Sequence, residues 1–300
     1  MAENKKAKMS KRNLEQRVTH LLYVTPSLVL YFLFSVAPIL IGIYYSFTNW
    51  NGVSKRYSMV GLENYFKIFG DSRFQKSVVF NLKYAAMLVL CVVVFSVCIA
   101  LLLNMNFKGR NFFRAVYFFP ACLSMLTIGL IFNYIYFQGI PLLGKALGIS
   151  ALQNNILADT GKAIFGILAA NVWQGVAIPT ILILAALQTI PREIMEAAVV
   201  DGANAWHRFW HITVPYILPT ISIVFVLSLK DGLMIYDYIV ALTSGGPAGA
   251  TESITLSIYR LGFEDLKFGY AISEAVIIAL IIAVISILQI KMTSRKKIYD

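Results

Sequence analysis

Charge is scarce in this chain. Asp, Glu, Lys and Arg make up 14% of its 300 residues, against about 25% in an ordinary soluble domain. That is too little to cover a globule of this length. Cysteine is scarce as well: Cys91, Cys98 and Cys122 all lie in apolar runs, which excludes a disulfide scaffold. Cys91 and Cys98, seven apart on one helix face, read as packing. The three histidines (His20, His207, His211) do not form a metal set, and an interfacial or partner-facing position suits the last two better than zinc. A phosphate-binding loop is missing, because Gly144-Lys145-Ala146 and Gly161-Lys162-Ala163 lack both the glycine spacing and the hydroxyl that phosphates require. With no nucleophile set beside a base, an enzyme is not expected, nor a cofactor bound by this chain.

What the chain has is apolar length. Hydrophobic residues reach 58% and the mean hydropathy is +0.71. A bilayer core about 30 Å thick needs about 20 apolar helical residues, and six runs qualify: 21–47, 77–103, 115–136, 164–188, 214–242 and 269–290. The first is too long for the apolar part of a signal peptide, which has only about 7–15 residues. The expected fold is therefore all-α, a polytopic membrane protein with six transmembrane helices over 21–290 and basic tails at 1–20 and 291–300. The net charge of +11 resides mostly in tails and short loops, so no nucleic acid is implied. Segments 1–20, 104–114, 189–213 and 291–300 hold 15 Lys and Arg in 66 positions, against 9 in 82 for the opposite set. The positive-inside rule then puts both termini in the cytoplasm of a multi-pass cell (inner) membrane protein. Thr251–Gly262 reads as a short helix lying on the outer surface.

One connection does not read as an ordinary loop. In 191–219, Pro191 is placed to start a helix, Glu193 suits its first turn, and Gly202 can end it. A second short helix, rich in large aromatics, is predicted from about Asn204 to His211, with Pro215 and Pro219 in the first turn of the fifth span. Ile194, Ala197, Ala198 and Asp201 recur at three- and four-residue spacing and make a narrow face of small residues. Such a helix docks against another protein or rests in the headgroups; spacing alone leaves both open.

Glu196-Ala197-Ala198, Asp201-Gly202-Ala203, Ile212, Pro215 and Pro219 resemble the EAA loop of binding-protein-dependent ABC transporter permeases. The likeness extends to the sugar-permease group of the maltose and glycerol-3-phosphate type, through Ser46–Asn51, Val60–Tyr65, Arg114–Pro120 and Leu242–Pro247. The resemblance implies the type I importer permease fold, with the EAA segment as a coupling helix carried by Glu196, Ala197, Ala198, Asp201 and Gly202. It also implies the partners: a second homologous permease, a cytoplasmic ABC ATPase dimer that uses ATP and Mg, and an extracellular or periplasmic solute-binding protein. It implies further a sugar as the solute and membrane lipid as the surroundings.

Ionisable groups inside spans are costly and tend to face protein or water. Lys83, Lys230, Asp231, Asp237 and Glu274 fall inside the predicted spans, with Asn81, Asn171 and Gln174. At 1.5 Å per residue they lie within roughly 17 Å of the predicted outer end of their spans, which suggests a wet outer vestibule narrowing to a site near the midplane. Gly175, Pro179 and Gly232 interrupt the two helices that leave the EAA loop. The candidate solute contacts are Asn171, Trp173, Gln174, Ser228, Asp231 and Tyr236, with Trp173 and Tyr236 offering flat faces to a sugar ring. Lys230 and Asp231, adjacent on a helix, are expected to diverge and seek separate partners, while Lys83 and Glu274 are placed to snorkel. The alternative is an ion-coupled secondary transporter using Asp231, Asp237 and Glu274.

Overall fold

The computed structural model describes residues 22–294; the predicted tail 1–20 falls outside them, as does the predicted tail 291–300 except for its first four residues, which continue the last helix. No strand forms among the described residues, where the only β feature is an isolated Thr48–Met59 bridge. The helices are α1 (Leu22–Ser46), α2 (Glu63–Gly70), α3 (Ser72–Asn104), α4 (Arg110–Phe118), α5 (Met125–Ala146), α6 (Ala163–Gly175), α7 (Ala177–Gln188), α8 (Arg192–Val200), α9 (Ala205–Leu233), α10 (Asp237–Leu242), α11 (Ile254–Tyr259) and α12 (Phe268–Ser294). Among the described residues five are long and apolar enough to cross a membrane, six if α6 with α7, bent by 44°, is counted as one span.

The chain divides into two compact units: Met1–Phe66 with Leu261–Val276, and Lys67–Arg260 with Ile277–Asp300. In the first, Tyr45 stacks on Trp50 at 4.1 Å, and Trp50 meets Phe268 edge-on at 5.3 Å. Buried Asn64 donates to the carbonyls of Ser46 and Thr48 at 2.8 and 2.9 Å, satisfying carbonyls that the end of α1 leaves open. Gly269 follows from this arrangement, since a Cβ there would strike the Thr48 carbonyl.

The second unit is built around α3, which packs on α9 and α7. Its core includes Tyr84, Leu88, Val92, Ile183, Ile217 and Val224. Where α9 crosses α3, a Cβ on Gly232 would lie 2.6 Å from the Ala85 Cα, so the crossing is as tight as two backbones allow. Asn81 is fully buried beside it. Its amide donates to the Leu233 carbonyl at 2.7 Å, and its oxygen accepts from the Ile254 N–H at 3.0 Å. Asn81 thus ties the end of α9 to the start of α11 as a structural bracket, and does not line a vestibule as predicted. The same end carries an ionic clasp: Arg73 and Arg260 reach Glu252 Oε1 at 2.7 and 3.3 Å.

Three predicted boundaries move. The third span was expected at 115–136 and lies at Met125–Ala146. Hydropathy runs continuously through this stretch, but Pro120 sits in a 3-10 turn, Phe119–Cys122, and Ser124 is extended. The segment before it is a separate helix, α4. The fifth span ends at Leu233, not at residue 242. Tyr236 leaves helical geometry and α10 begins at Asp237, whose carboxylate occupies a favourable first turn. Residues 237–242 are apolar because they pack on protein: a Cβ on Gly129 of α5 would lie 2.5 Å from that of Ala241, and Asn133 donates to the carbonyls of Ala241 and Leu242 at 3.2 and 3.0 Å. The fifth span also starts early. The predicted short helix at 204–211 joins it through a π-helical turn at Phe209–Thr213, leaving Pro219 inside the helix. Finally, α11 is no outer-surface helix, for Ile254, Leu256 and Ser257 are buried against α3.

Candidate functional site

Two structures meet at the broken span: an elbow at one end of the bundle and a cavity within it. The elbow is α8 followed by a tight turn into α9. Pro191 caps α8 in extended geometry, as its fixed φ favours, and Glu193 stands in the first turn. The turn closes as a Schellman motif, with the Ala203 N–H donating to the Ala198 carbonyl at 2.9 Å and the Gly202 N–H to that of Val199 at 3.0 Å. Gly202 has φ +80° and open space around its Cβ position, so its requirement is backbone conformation alone. The Asn204 side chain then caps α9 by accepting from the His207 N–H at 2.8 Å, and Arg208 donates to the Ala203 carbonyl at 2.7 Å.

The turn is therefore rigid, while the helix it holds is bare. Glu196, Ala197, Asp201 and Gly202 are exposed and Ala198 is half-buried. Val200 and Trp206 are 86% and 70% exposed. His207 and His211 stack at 3.9 Å on an exposed face, and among the described residues they belong to no group of three potential metal ligands. The elbow is continuous with both α7, reached through the short Thr189–Pro191 link, and α9.

The cavity, about 450 Å³, lies where these two helices pass the break. Pro179 has no N–H to offer the Gly175 carbonyl, which is why α6 and α7 meet at an angle and not as one rod. Asn171, Gln174, Ser228, Asp231 and Tyr236 all line the cavity, together with Lys230 and Ile178. Asn171 donates to the Tyr84 hydroxyl at 2.9 Å, and the Gln174 amide donates to the carbonyls of Leu123 and Pro120 at 2.8 and 3.2 Å. The Tyr238 hydroxyl donates to the Gln174 oxygen. These hydrogen bonds fix the orientation of the polar groups in the lining.

Trp173 is the exception. It turns away from the cavity, 45% exposed, with its ring 5.7 Å from that of Phe132, because it lies on the opposite helical face from Asn171 and Gln174. Lys230 and Asp231 also depart from expectation: they pair with each other at 3.7 Å, each side chain more than half exposed. Both sit in the last turn of α9, where the long lysine stem can swing around the helix end. Glu274 is fully buried and does not snorkel, whereas Lys83 is exposed as expected. Reading the sequence missed Tyr238, Met125 and Met234 in the lining. Their signal was concealed in the third and fifth spans, whose ends were set by hydropathy and not by Pro120 and Tyr236.

Residues 92–297 match the family described as the binding-protein-dependent transport system inner membrane component. Similar proteins include the multiple sugar-binding transport system permease protein MsmF of Streptococcus mutans, 42% identical over 89% of this chain and 92% of that one. The probable starch degradation products transport system permease protein AmyD of Thermoanaerobacterium thermosulfurigenes is 30% identical over 98% of this chain and 99% of its own. Among solved structures, a bacterial ABC transporter involved in import of the acidic polysaccharide alginate superposes with a TM-score of 0.83 at 21% identity, covering 95% of this chain and 98% of that chain. That likeness shows a shared fold. The profile match across more than two thirds of the sequence, with these relatives, shows that the chain belongs to the inner-membrane component family of binding-protein-dependent transport systems.

Proposed function

We propose that this chain is one of two permease subunits of an ATP-driven importer for a sugar or oligosaccharide, with the cavity as part of the solute path and the elbow as its coupling handle. One observation carries the reading: an exposed elbow with a locked turn is continuous with both helices that wall the cavity. Displacement of α8 by a cytoplasmic ATPase dimer is then passed to the residues that hold solute. Glu196, Ala197, Ala198, Asp201 and Gly202 are the ATPase-facing set, and ATP and Mg belong to that partner. The positive-inside bias puts the elbow and both termini in the cytoplasm, with a solute-binding protein delivering cargo from the other side. One solved neighbour is in complex with an alginate pentasaccharide-bound periplasmic protein.

A carbohydrate suits the cavity chemically. Asn171, Gln174, Ser228, Asp231 and Lys230 offer donors and acceptors to hydroxyls, and Ile178, Met234 and Tyr236 offer apolar contact for ring faces. The names of the relatives point the same way. The test is uptake of labelled oligosaccharides by cells carrying the complete system, comparing wild type with Ala198→Trp and Asp231→Asn. Ala198→Trp should abolish uptake while membrane insertion persists, and Asp231→Asn should alter the KM for solute. Uptake that survives ATP depletion and collapses with an ionophore would replace this reading by ion-coupled transport.

A further inference from the structure

A second pocket, about 270 Å³, opens at the end of the bundle where α3 stops, and among its lining residues are Leu103, Arg114, Tyr117, Thr180, Leu184 and Gln188. Arg114 reaches into it from α4. One guanidinium nitrogen donates to the Leu103 carbonyl at 3.4 Å, a long bond, and the buried Nε has no hydrogen-bond partner among the described residues. No Asp or Glu occurs from residue 72 to 158 or from 160 to 192, the segments that build the pocket. A guanidinium held in an apolar recess with one weak bond carries an uncompensated desolvation cost, and among the described residues none that line the pocket is acidic.

We propose that this pocket binds the phosphate of an anionic phospholipid, with Arg114 as its ligand. Arginine presents a planar fork that pairs with phosphate oxygens. The setting is that of a membrane interface. Along α4 and just past it, Phe112, Phe113, Tyr117, Phe118 and Phe119 are exposed, a helix with aromatic and basic residues of the kind that lies at headgroup depth. Lys108 and Arg110, just before and at its start, add attraction for anionic lipid. The rest of the pocket wall, Leu103, Ile181 and Leu184, suits the first carbons of an acyl chain, which a free phosphate ion would not use. Because α7 forms one wall and leads directly into the elbow, the bound headgroup braces the helix that moves.

The test uses the full-length chain, with whatever copurifies, in nanodiscs of phosphatidylcholine with or without phosphatidylglycerol. Native mass spectrometry counts lipid retained after release from the disc. Wild type should keep phosphatidylglycerol in preference to phosphatidylcholine, and Arg114→Gln should weaken that retention by about tenfold or more, as loss of a charge-assisted phosphate bond implies. Ala185→Phe, which fills the pocket from an exposed position and leaves Arg114 in place, should do the same in a protein whose folding is undisturbed. Arg110→Gln should change retention by no more than about fivefold, the loss of about 1 kcal/mol expected from surface attraction alone. Equal retention by wild type and both pocket variants would overturn the site. Displacement of the lipid by millimolar inorganic phosphate would overturn its assignment to lipid.

Discussion

Gly232 offers the sharpest test of the architecture that holds the cavity. A methyl at this position would stand 2.6 Å from the Ala85 Cα and 2.9 Å from its Cβ, where ordinary carbon contacts fall at about 3.5–4.0 Å. Accommodating Gly232→Ala therefore requires α9 and α3 to separate by roughly 1 Å, and overpacking of this kind costs about 1–3 kcal/mol. Helix propensity opposes the loss, since alanine is favoured over glycine by about 1 kcal/mol within a helix. Gly232 lies one residue from the helix end, so only part of that gain applies and the clash prevails. The expected result is a lower unfolding temperature in detergent, with impaired uptake because Lys230 and Asp231 shift with the helix. A second substitution sharpens the reasoning. Ala85→Gly removes the Cβ but leaves the nearer Cα, so the double variant should recover less than half of the loss. Neutral Gly232→Ala, or complete rescue by Ala85→Gly, would refute the account of a crossing limited by backbone contact.

Other positions yield outcomes that follow from the same geometry. Asn81→Leu should reduce the yield of folded protein severely, because it orphans both the Leu233 carbonyl and the Ile254 N–H, at about 1–3 kcal/mol for each buried group; limited proteolysis at the 243–253 loop reports it. Asn81→Asp should be no better, since its second oxygen would face the Leu233 carbonyl. Gly202→Ala should cost about 1–2 kcal/mol through the left-handed backbone alone, with hydrogen exchange faster in 197–204 and the bundle core unchanged; Gly202→Asn, which tolerates that conformation better, should cost less. For the clasp, a double-mutant cycle between Arg73 and Glu252 should give a coupling of about 1 kcal/mol, the Arg73 side chain being 33% exposed and the pair therefore partly screened. Trp173→Ala should leave solute KM unchanged while Gln174→Ala raises it, a contrast read in uptake kinetics.

Periodicity and hydropathy served well where the bilayer itself is the constraint, and less well where protein replaces lipid. Each of the six apolar runs yields helix, five of them single helices of span length and one the bent pair α6–α7, because about 20 apolar residues in succession have few other uses. The limits of α8 were legible, since Pro191 and Gly202 each enforce a local backbone state that does not depend on tertiary context. Five of six cavity candidates converge for a similar reason: polar groups in an apolar helix must face something that accepts them. The failures arise where apolar character has a second cause. Residues 237–242 are as apolar as a span yet pack on α5, and hydropathy cannot tell a protein neighbour from a lipid one. Residues 115–119 read as the opening of a span because aromatics score as apolar, though Pro120 ends the helix before it can cross. Asn81 was assigned to water because burial of a lone amide looks too costly. It is stable because two helix ends arrive with a spare acceptor and a spare donor, a coincidence written in residues about 150 or more positions away. Trp173 errs by a single helical step, since an adjacent residue on a helix points about 100° away. Sequence thus establishes which segments are apolar enough to enter the membrane, and the breaks at Pro120, Pro179 and Tyr236 decide which faces those segments turn toward the cavity.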